Sequence, residues 1–294
     1  MAKITACSTL VYTTGDLNEA LTRIAIRGFS RVEIAHMGEY CSHYPSGQDP
    51  YKVKHLLANH GLKPIAINYF PDHIVGQDMS ACKFNVDANA RQYESHMQDF
   101  IRQMHEVGVP LVLALVGRRT EALDCDQQIT AAADVLSRLA GYARRFGIKL
   151  ALEIPHCYSI CNTLQRAKDI FDRIESDNIG AVFDCTHQQV IGYSVQEYLE
   201  ELGDRLCHVH LRDAAGKDTA DFHQNLELTP GRGEVDFRRI ARELDDFGYQ
   251  GEVTLELEYQ GGLPLEKIEL EVDVAISYLR ECGWEFPEAV CRTK

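Results

Sequence analysis

Short apolar runs rich in β-branched and aromatic residues alternate along this chain with longer stretches whose apolar positions recur every three to four residues. The short runs predict strands near 3–8, 31–35, 63–68, 110–115, 148–153, 179–184, 206–211 and 252–257. The longer stretches predict helices near 15–27, 50–60, 86–107, 127–146, 163–174, 194–202, 235–247 and 263–281. Gly28, Gly61, Gly108, Gly147 and Gly248 each stand between a predicted helix and the next strand, where helix-ending glycines belong. Thr163 and Asp236 sit where N-caps are expected. Eight strand–helix pairs in this length predict a single-domain α/β fold, a (β/α)8 TIM barrel over residues 1–282, with 283–294 as a C-terminal tail or strap. An open doubly wound sheet lacks support, because no GxGxxG turn follows the first strand.

Four of the predicted strands end in a ligand-type side chain: Glu153, Asp184, His210 and Glu256. Strand ends converge on one face of a closed barrel. Three converging carboxylates repel one another, and desolvating each charge costs several kcal/mol or more without a partner. One divalent cation removes that conflict. Parity leaves Glu256 or Glu258, and His210 or His208, as the inward ligand. Glu256 lies at the offset from Gly251 expected of a strand end, and His210 is nearer the carboxyl end than His208, which would lie one layer deeper. A set of three oxygens and one nitrogen suits Mn²⁺ first, with Mg²⁺, Co²⁺, Zn²⁺ or Fe²⁺ as alternatives.

Composition narrows the class. The 294 residues are 45% hydrophobic and 25% charged, as in an ordinary globular protein. No apolar run is long enough for a membrane span, and the first residues lead into a strand without a signal-peptide core. A net charge of −14 argues against nucleic acid. Ten cysteines without a CxxC pair read as reduced thiols of a cytoplasmic protein. The loops 37–49, 69–85 and 212–234 are long and fall on the face that holds the strand ends. Tyr40, Tyr44, Tyr51, Tyr69 and Phe70 either wall a pocket or form the interface of a homodimer. Arg118, Arg119 and Lys217 could take a phosphate or acid group, although an unphosphorylated substrate is favoured.

The strings Leu152-Glu153-Ile154-Pro155-His156, Phe183-Asp184-Cys185-Thr186-His187, His208-Val209-His210-Leu211-Arg212-Asp213, Pro230-Gly231-Arg232-Gly233-Glu234-Val235-Asp236-Phe237 and Gly248-Tyr249-Gln250-Gly251 before Thr254-Leu255-Glu256 resemble the xylose isomerase-like TIM barrels of the sugar phosphate isomerase/epimerase type. The resemblance covers most of 1–282. It implies the same four metal ligands. His187 would face the substrate or supplement the metal, and Arg212 would sit beside the metal-bound oxygens. Glu33, at the end of the second strand, would hydrogen-bond a sugar hydroxyl. His36, Asn68 and His156 are further pocket candidates. Ketose 3-epimerases of the tagatose and psicose type often carry a second glutamate six residues after the first ligand, where this chain has Ser159.

Such a site implies an isomerase or epimerase of a small ketose or related polyhydroxy carbonyl compound. Glu153 and Glu256 would be its catalytic carboxylates, forming and quenching an enediolate. The alternative is a lyase or dehydratase of a keto-sugar, keto-inositol or keto-glycoside. A DNA repair enzyme like endonuclease IV is a distant alternative, because its extra histidines are missing from the ends of strands 3 and 4.

Overall fold

In the computed structural model, eight parallel strands close into a barrel in simple sequence order. They are β1 (Ala6–Ser8), β2 (Arg31–Met37), β3 (Lys63–Phe70), β4 (Leu111–Leu113), β5 (Lys149–Glu153), β6 (Ile179–Asp184), β7 (Leu206–Leu211) and β8 (Glu252–Leu255). The structure describes residues 2–70, 87–114, 116–119, 121, 123–155, 159–217, 228–259 and 262–289. All eight expected strands form.

Around the strands lie α1 (Leu17–Ile26), α2 (Pro50–Asn59), α3 (Asp87–Val107), α4 (Cys125–Arg144), α5 (Leu164–Arg173), α6 (Cys185–Ile191), α7 (Val195–Leu202), α8 (Phe237–Phe247) and α9 (Leu265–Glu281). Local chemistry sets their ends. Thr163 and Asp236 accept backbone N–H bonds from Arg166 and Arg239, as capping residues. Gly248 ends α8 with φ of 79°, and the other four helix-ending glycines share this left-handed backbone. The helix α6 was not expected from the sequence. It starts directly at the end of β6, because Asp184 is its N-cap and takes the N–H groups of Thr186 and His187.

Alternation along the strands divides the core in two. Leu150 and Leu152, Phe183, Val209 and Leu211 belong to the large cluster between strands and helices. Ala6, Ala66, Leu111, Leu113, Ala151 and Val182 form a smaller cluster. Three of these, Ala66, Ala151 and Val182, share strand faces with Asn68, Glu153 and Asp184, so this cluster is the plug inside the barrel beneath the strand ends. Residues at the start of the expected tail pack onto the body. Glu285 exchanges backbone bonds with Ala2 and Ile4, and Trp284, 2% exposed, donates its indole N–H to the Phe237 carbonyl. Among the described residues no helix is long and apolar enough to cross a membrane.

The aromatics expected in loops divide as well: Tyr51 lies in α2, and Tyr69 and Phe70 are the last residues of β3. Tyr44 and Tyr69 are buried, and Tyr69 stacks on Phe100 of α3 with 3.7 Å between ring centroids. Tyr51 is 56% exposed. Two of the residues read as interface or pocket candidates therefore belong to the packing between β3, its neighbours and α3.

Candidate metal centre

The side chains of Glu153, Asp184, His210 and Glu256 meet at the carboxyl ends of β5 to β8. Each offers one ligand atom, and these atoms all lie within 4.8 Å of one another. Atoms that share one ion at bonds of about 2.0–2.6 Å lie at most about twice that distance apart. The donor set therefore fits a divalent cation, and its three oxygens and one nitrogen are hard to borderline ligands. Register makes the meeting possible: Asp184 is opposite His210, and His210 opposite Thr254, on neighbouring strands. Glu256 continues the β8 ladder, with its N–H on the Leu211 carbonyl at 3.1 Å.

His210 is the hub. Its Nδ1 lies 3.1 Å from Glu153 Oε1 and 3.2 Å from Glu256 Oε2. Its Nε2 lies 3.0 Å from Glu33 Oε2 on the other edge of the ring. Burial alone would push the His210 imidazole down. The charges of Glu256 and Glu33, with the bonds to Glu153 and Glu33, outweigh burial and raise it well above its ordinary value. Burial pushes Glu256 up to about 8 against the pull of His210 and Arg212. Burial works the same way on Glu153, but His187 and His210 override it and hold the carboxyl well below the usual range.

Asp184 divides its two oxygens. Oδ1 caps α6 and takes the Thr186 hydroxyl at 2.5 Å, while Oδ2 faces Arg212 Nη2 at 3.1 Å. Arg212 is 7% exposed and borders the cluster. Its Nε reaches Thr186 Oγ1 at 2.9 Å, and its Nη1 pairs with Glu258. Glu258, the alternative inward ligand of the sequence reading, therefore meets the guanidinium rather than the four-residue cluster.

The remaining candidates fall in different places. His187 Nε2 lies 3.5 Å from Glu153 Oε2 and 3.2 Å from Arg212 Nη2, at the edge of the cluster. Asn68 donates from Nδ2 to Glu256 Oε1 at 3.2 Å. Glu33 is fully buried, with its Oε2 shared by two imidazoles. His36 is turned away from the cluster: its ring stacks on Tyr69, and its Nδ1 accepts the Tyr44 N–H at 3.3 Å. His156 lies outside the described residues.

Two further residues matter that the sequence reading did not single out. Thr186 bridges Asp184 and Arg212, and no spacing rule marked it. Asp213 gathers four backbone N–H groups from the loop after β7: Ala214 and Val235 on Oδ1, Gly231 and Gly233 on Oδ2, at 2.8–3.1 Å. Its signal was present in the sequence, as an aspartate directly after the inward Arg212 and a glycine-rich turn downstream.

A family profile described as xylose isomerase-like TIM barrel matches residues 21–282. An inosose isomerase of Bacillus velezensis is 26% identical over 211 residues, covering 70% of this chain and 75% of that protein. A 3-dehydroshikimate dehydratase of Pseudomonas putida is 26% identical over 245 residues, 83% of this chain but 36% of that longer protein. Among solved structures, the IOLI protein with a binding zinc atom superposes with a TM-score of 0.72 at 20% identity, covering 98% of each chain. With a closed eight-stranded barrel and a family match across most of its length, this chain belongs to the xylose isomerase-like TIM barrel family.

Proposed function

We propose that this protein is a divalent-metal-dependent isomerase or epimerase of a small ketose or related polyhydroxy carbonyl compound, acting through an enediolate. The observation that carries this reading is the pair of carboxylates flanking His210 Nδ1, Glu153 on β5 and Glu256 after β8. Glu153, Asp184, His210 and Glu256 would hold the cation. When bound, the cation supplies polarisation of a substrate carbonyl and acidifies the neighbouring C–H. Two strands separate β5 from β8, so the two carboxylates flank the site. One removes the α-proton, and the other can return it to the opposite face, which is epimerisation. One carboxylate acting alone moves the proton between neighbouring carbons, which is aldose–ketose isomerisation. His187 and Arg212 border the cluster and would hydrogen-bond substrate oxygens, and Asn68 would orient Glu256.

A second reading, dehydration of a keto-sugar or keto-inositol, draws on the similarity to the 3-dehydroshikimate dehydratase. Both reactions start with the same proton removal. They separate in a screen of ketoses, inososes and keto-glycosides by NMR in D2O with Mn²⁺. The expected result is deuterium at the α-carbon of one substrate with no loss of water. Loss of water or release of an aglycone would assign the protein to the lyases.

We infer Mn²⁺ as the working ion, with Mg²⁺, Co²⁺, Zn²⁺ or Fe²⁺ as competitors for the same ligands. Chelation should remove activity, and Mn²⁺ should restore it at about one ion per chain. At about a hundredfold excess over its Kd, the ion should add about 2.7 kcal/mol of stability. For a chain of this length that corresponds to a rise in melting temperature of roughly 4 °C. Full activity and an unchanged melting curve after chelation would refute the metal requirement. The acidic charge of −14 supports a small-molecule substrate over nucleic acid. The cysteines among the described residues are all free thiols, in keeping with a cytoplasmic setting. A homodimer remains our reading. Its support among the five aromatics now rests on those other than Tyr44 and Tyr69, with Tyr51 the most exposed.

A further inference from the structure

Beneath the four-residue cluster lies a second layer that the reaction itself does not explain. Glu33 and His208 are both fully buried. Glu33 Oε2 lies 2.7 Å from His208 Nε2 and 3.0 Å from His210 Nε2. Among the described residues, Glu33 Oε1 and His208 Nδ1 have no hydrogen-bond partner. The Thr254 hydroxyl is 3.3 Å from His208 Nε2 and backs the same edge of the ring.

The donor arithmetic has one solution. An ionised carboxylate oxygen can only accept. Both imidazoles must therefore present Nε2–H to Glu33 Oε2. Nδ1 faces Glu153 and Glu256, whose carboxylates also only accept, so without a cation His210 carries both protons; a cation held at the cluster would take the place of the Nδ1 proton and leave Nε2–H on Glu33. The ring lies between Glu33 and the four-residue cluster, so Glu33 stands behind His210 rather than among the four ligands. Burying this carboxylate costs several kcal/mol unless partners compensate. It is compensated by two N–H donors on a single oxygen, one from each histidine of the His208-Val209-His210 string. The spacing of two along β7 puts both rings inside the barrel, at right angles and 4.8 Å apart.

We propose that Glu33 is a positioning residue that holds His210 in the Nε2–H tautomer and aims Nδ1 at the cation, while His208 holds the Glu33 carboxylate in place. This role rests on the cation site at Glu153, Asp184, His210 and Glu256. A carboxylate behind a metal-bound histidine both sets its tautomer and raises its basicity, and losing such a partner typically costs 10–100-fold in metal affinity.

Two measurements test it. The first is a long-range ¹H–¹⁵N correlation spectrum of histidine-labelled, Mg²⁺-loaded wild-type protein, which reads the tautomer without any substitution. The proton of His210 is expected on Nε2. The second is equilibrium dialysis of Mn²⁺ against wild type and Glu33→Gln, with the unfolding midpoint of each cation-free protein measured in parallel. Glu33→Gln should bind Mn²⁺ roughly 10–100-fold more weakly. Its His210 signals should shift as well, which a purely structural role would leave in place. A proton on His210 Nδ1 in the loaded wild type overturns the proposal. So does unchanged Mn²⁺ affinity in a folded Glu33→Gln protein. A wild type that binds no cation overturns the metal site itself, which is a distinct result. If Glu33→Gln does not fold, the wild-type spectrum still decides.

Discussion

Glu153→Gln and Glu256→Gln should each lower turnover by about 10²–10⁴-fold, the span that a positioned acid or base contributes. Glutamine keeps the shape and one acceptor oxygen but cannot take a proton from carbon. The surroundings predict that both variants stay folded. Glu153, Asp184, Glu256 and Glu33 crowd around His210 and Arg212, so removing one negative charge relieves repulsion rather than leaving a cation unpaired. Asn68 can still donate to the remaining oxygen at position 256. The two variants should differ in which step they stop. With two flanking carboxylates, each serves one face of the substrate carbon. One variant should still wash deuterium into the substrate without epimerising it, and the other into the product. Native turnover in either variant, or native exchange of the α-proton with both faces, would remove that glutamate from the proton-transfer pair.

The fold was legible because its signals are local and repeated. Eight apolar runs, the glycines that end helices, and caps such as Thr163 and Asp236 each report on a few neighbouring residues. The convergence of Glu153, Asp184, His210 and Glu256 was legible for a related reason. Strand parity and the closure of a barrel turn four sequence positions into one place. What lay beyond reach depended on how side chains share partners. The family resemblance implied Glu33 as a residue for a sugar hydroxyl at the end of the second strand, but β2 runs on to Met37 beyond it. The Oε2 of Glu33 is taken by two imidazoles from β7, five strands later in the chain. His36 neighbours the same strand end, but it has the opposite parity and stacks on Tyr69. The helix α6 was missed because a ligand-type aspartate gave no hint that its other oxygen was a cap. Tyr44 and Tyr69 were ambiguous between surface and interior, since aromatic loop residues serve both.

Asp213→Ala should destabilise the protein by roughly 3–5 kcal/mol, more than any other single change at the rim of the site. The carboxylate is 1% exposed and satisfies four backbone N–H groups. Each buried donor left without an acceptor costs about 1–3 kcal/mol, and water entering the vacated space recovers part of the sum. The loop is built around this side chain. Gly231 has φ of 96°, and a Cβ on Gly233 would lie 2.3 Å from Asp213 Oδ1 and 2.5 Å from the Ala214 carbonyl. Only glycine lets the chain come so close. The consequence reaches the chemistry, because Asp213 directly follows Arg212, whose guanidinium holds Asp184 and Glu258. Activity should therefore fall along with stability, and added Mn²⁺ should recover part of both. Arg232→Ala is the control within the same turn. Its side chain is 51% exposed and pairs with Glu271, so its loss should cost no more than about 1 kcal/mol. Urea unfolding followed by tryptophan fluorescence measures both, since Trp284, the single tryptophan, is buried against Phe237 at the start of α8. A shift in midpoint at unchanged slope is the expected form of the result. An Asp213→Ala midpoint within about 1 kcal/mol of wild type would show that the loop finds other acceptors, and that the four N–H bonds do not anchor it.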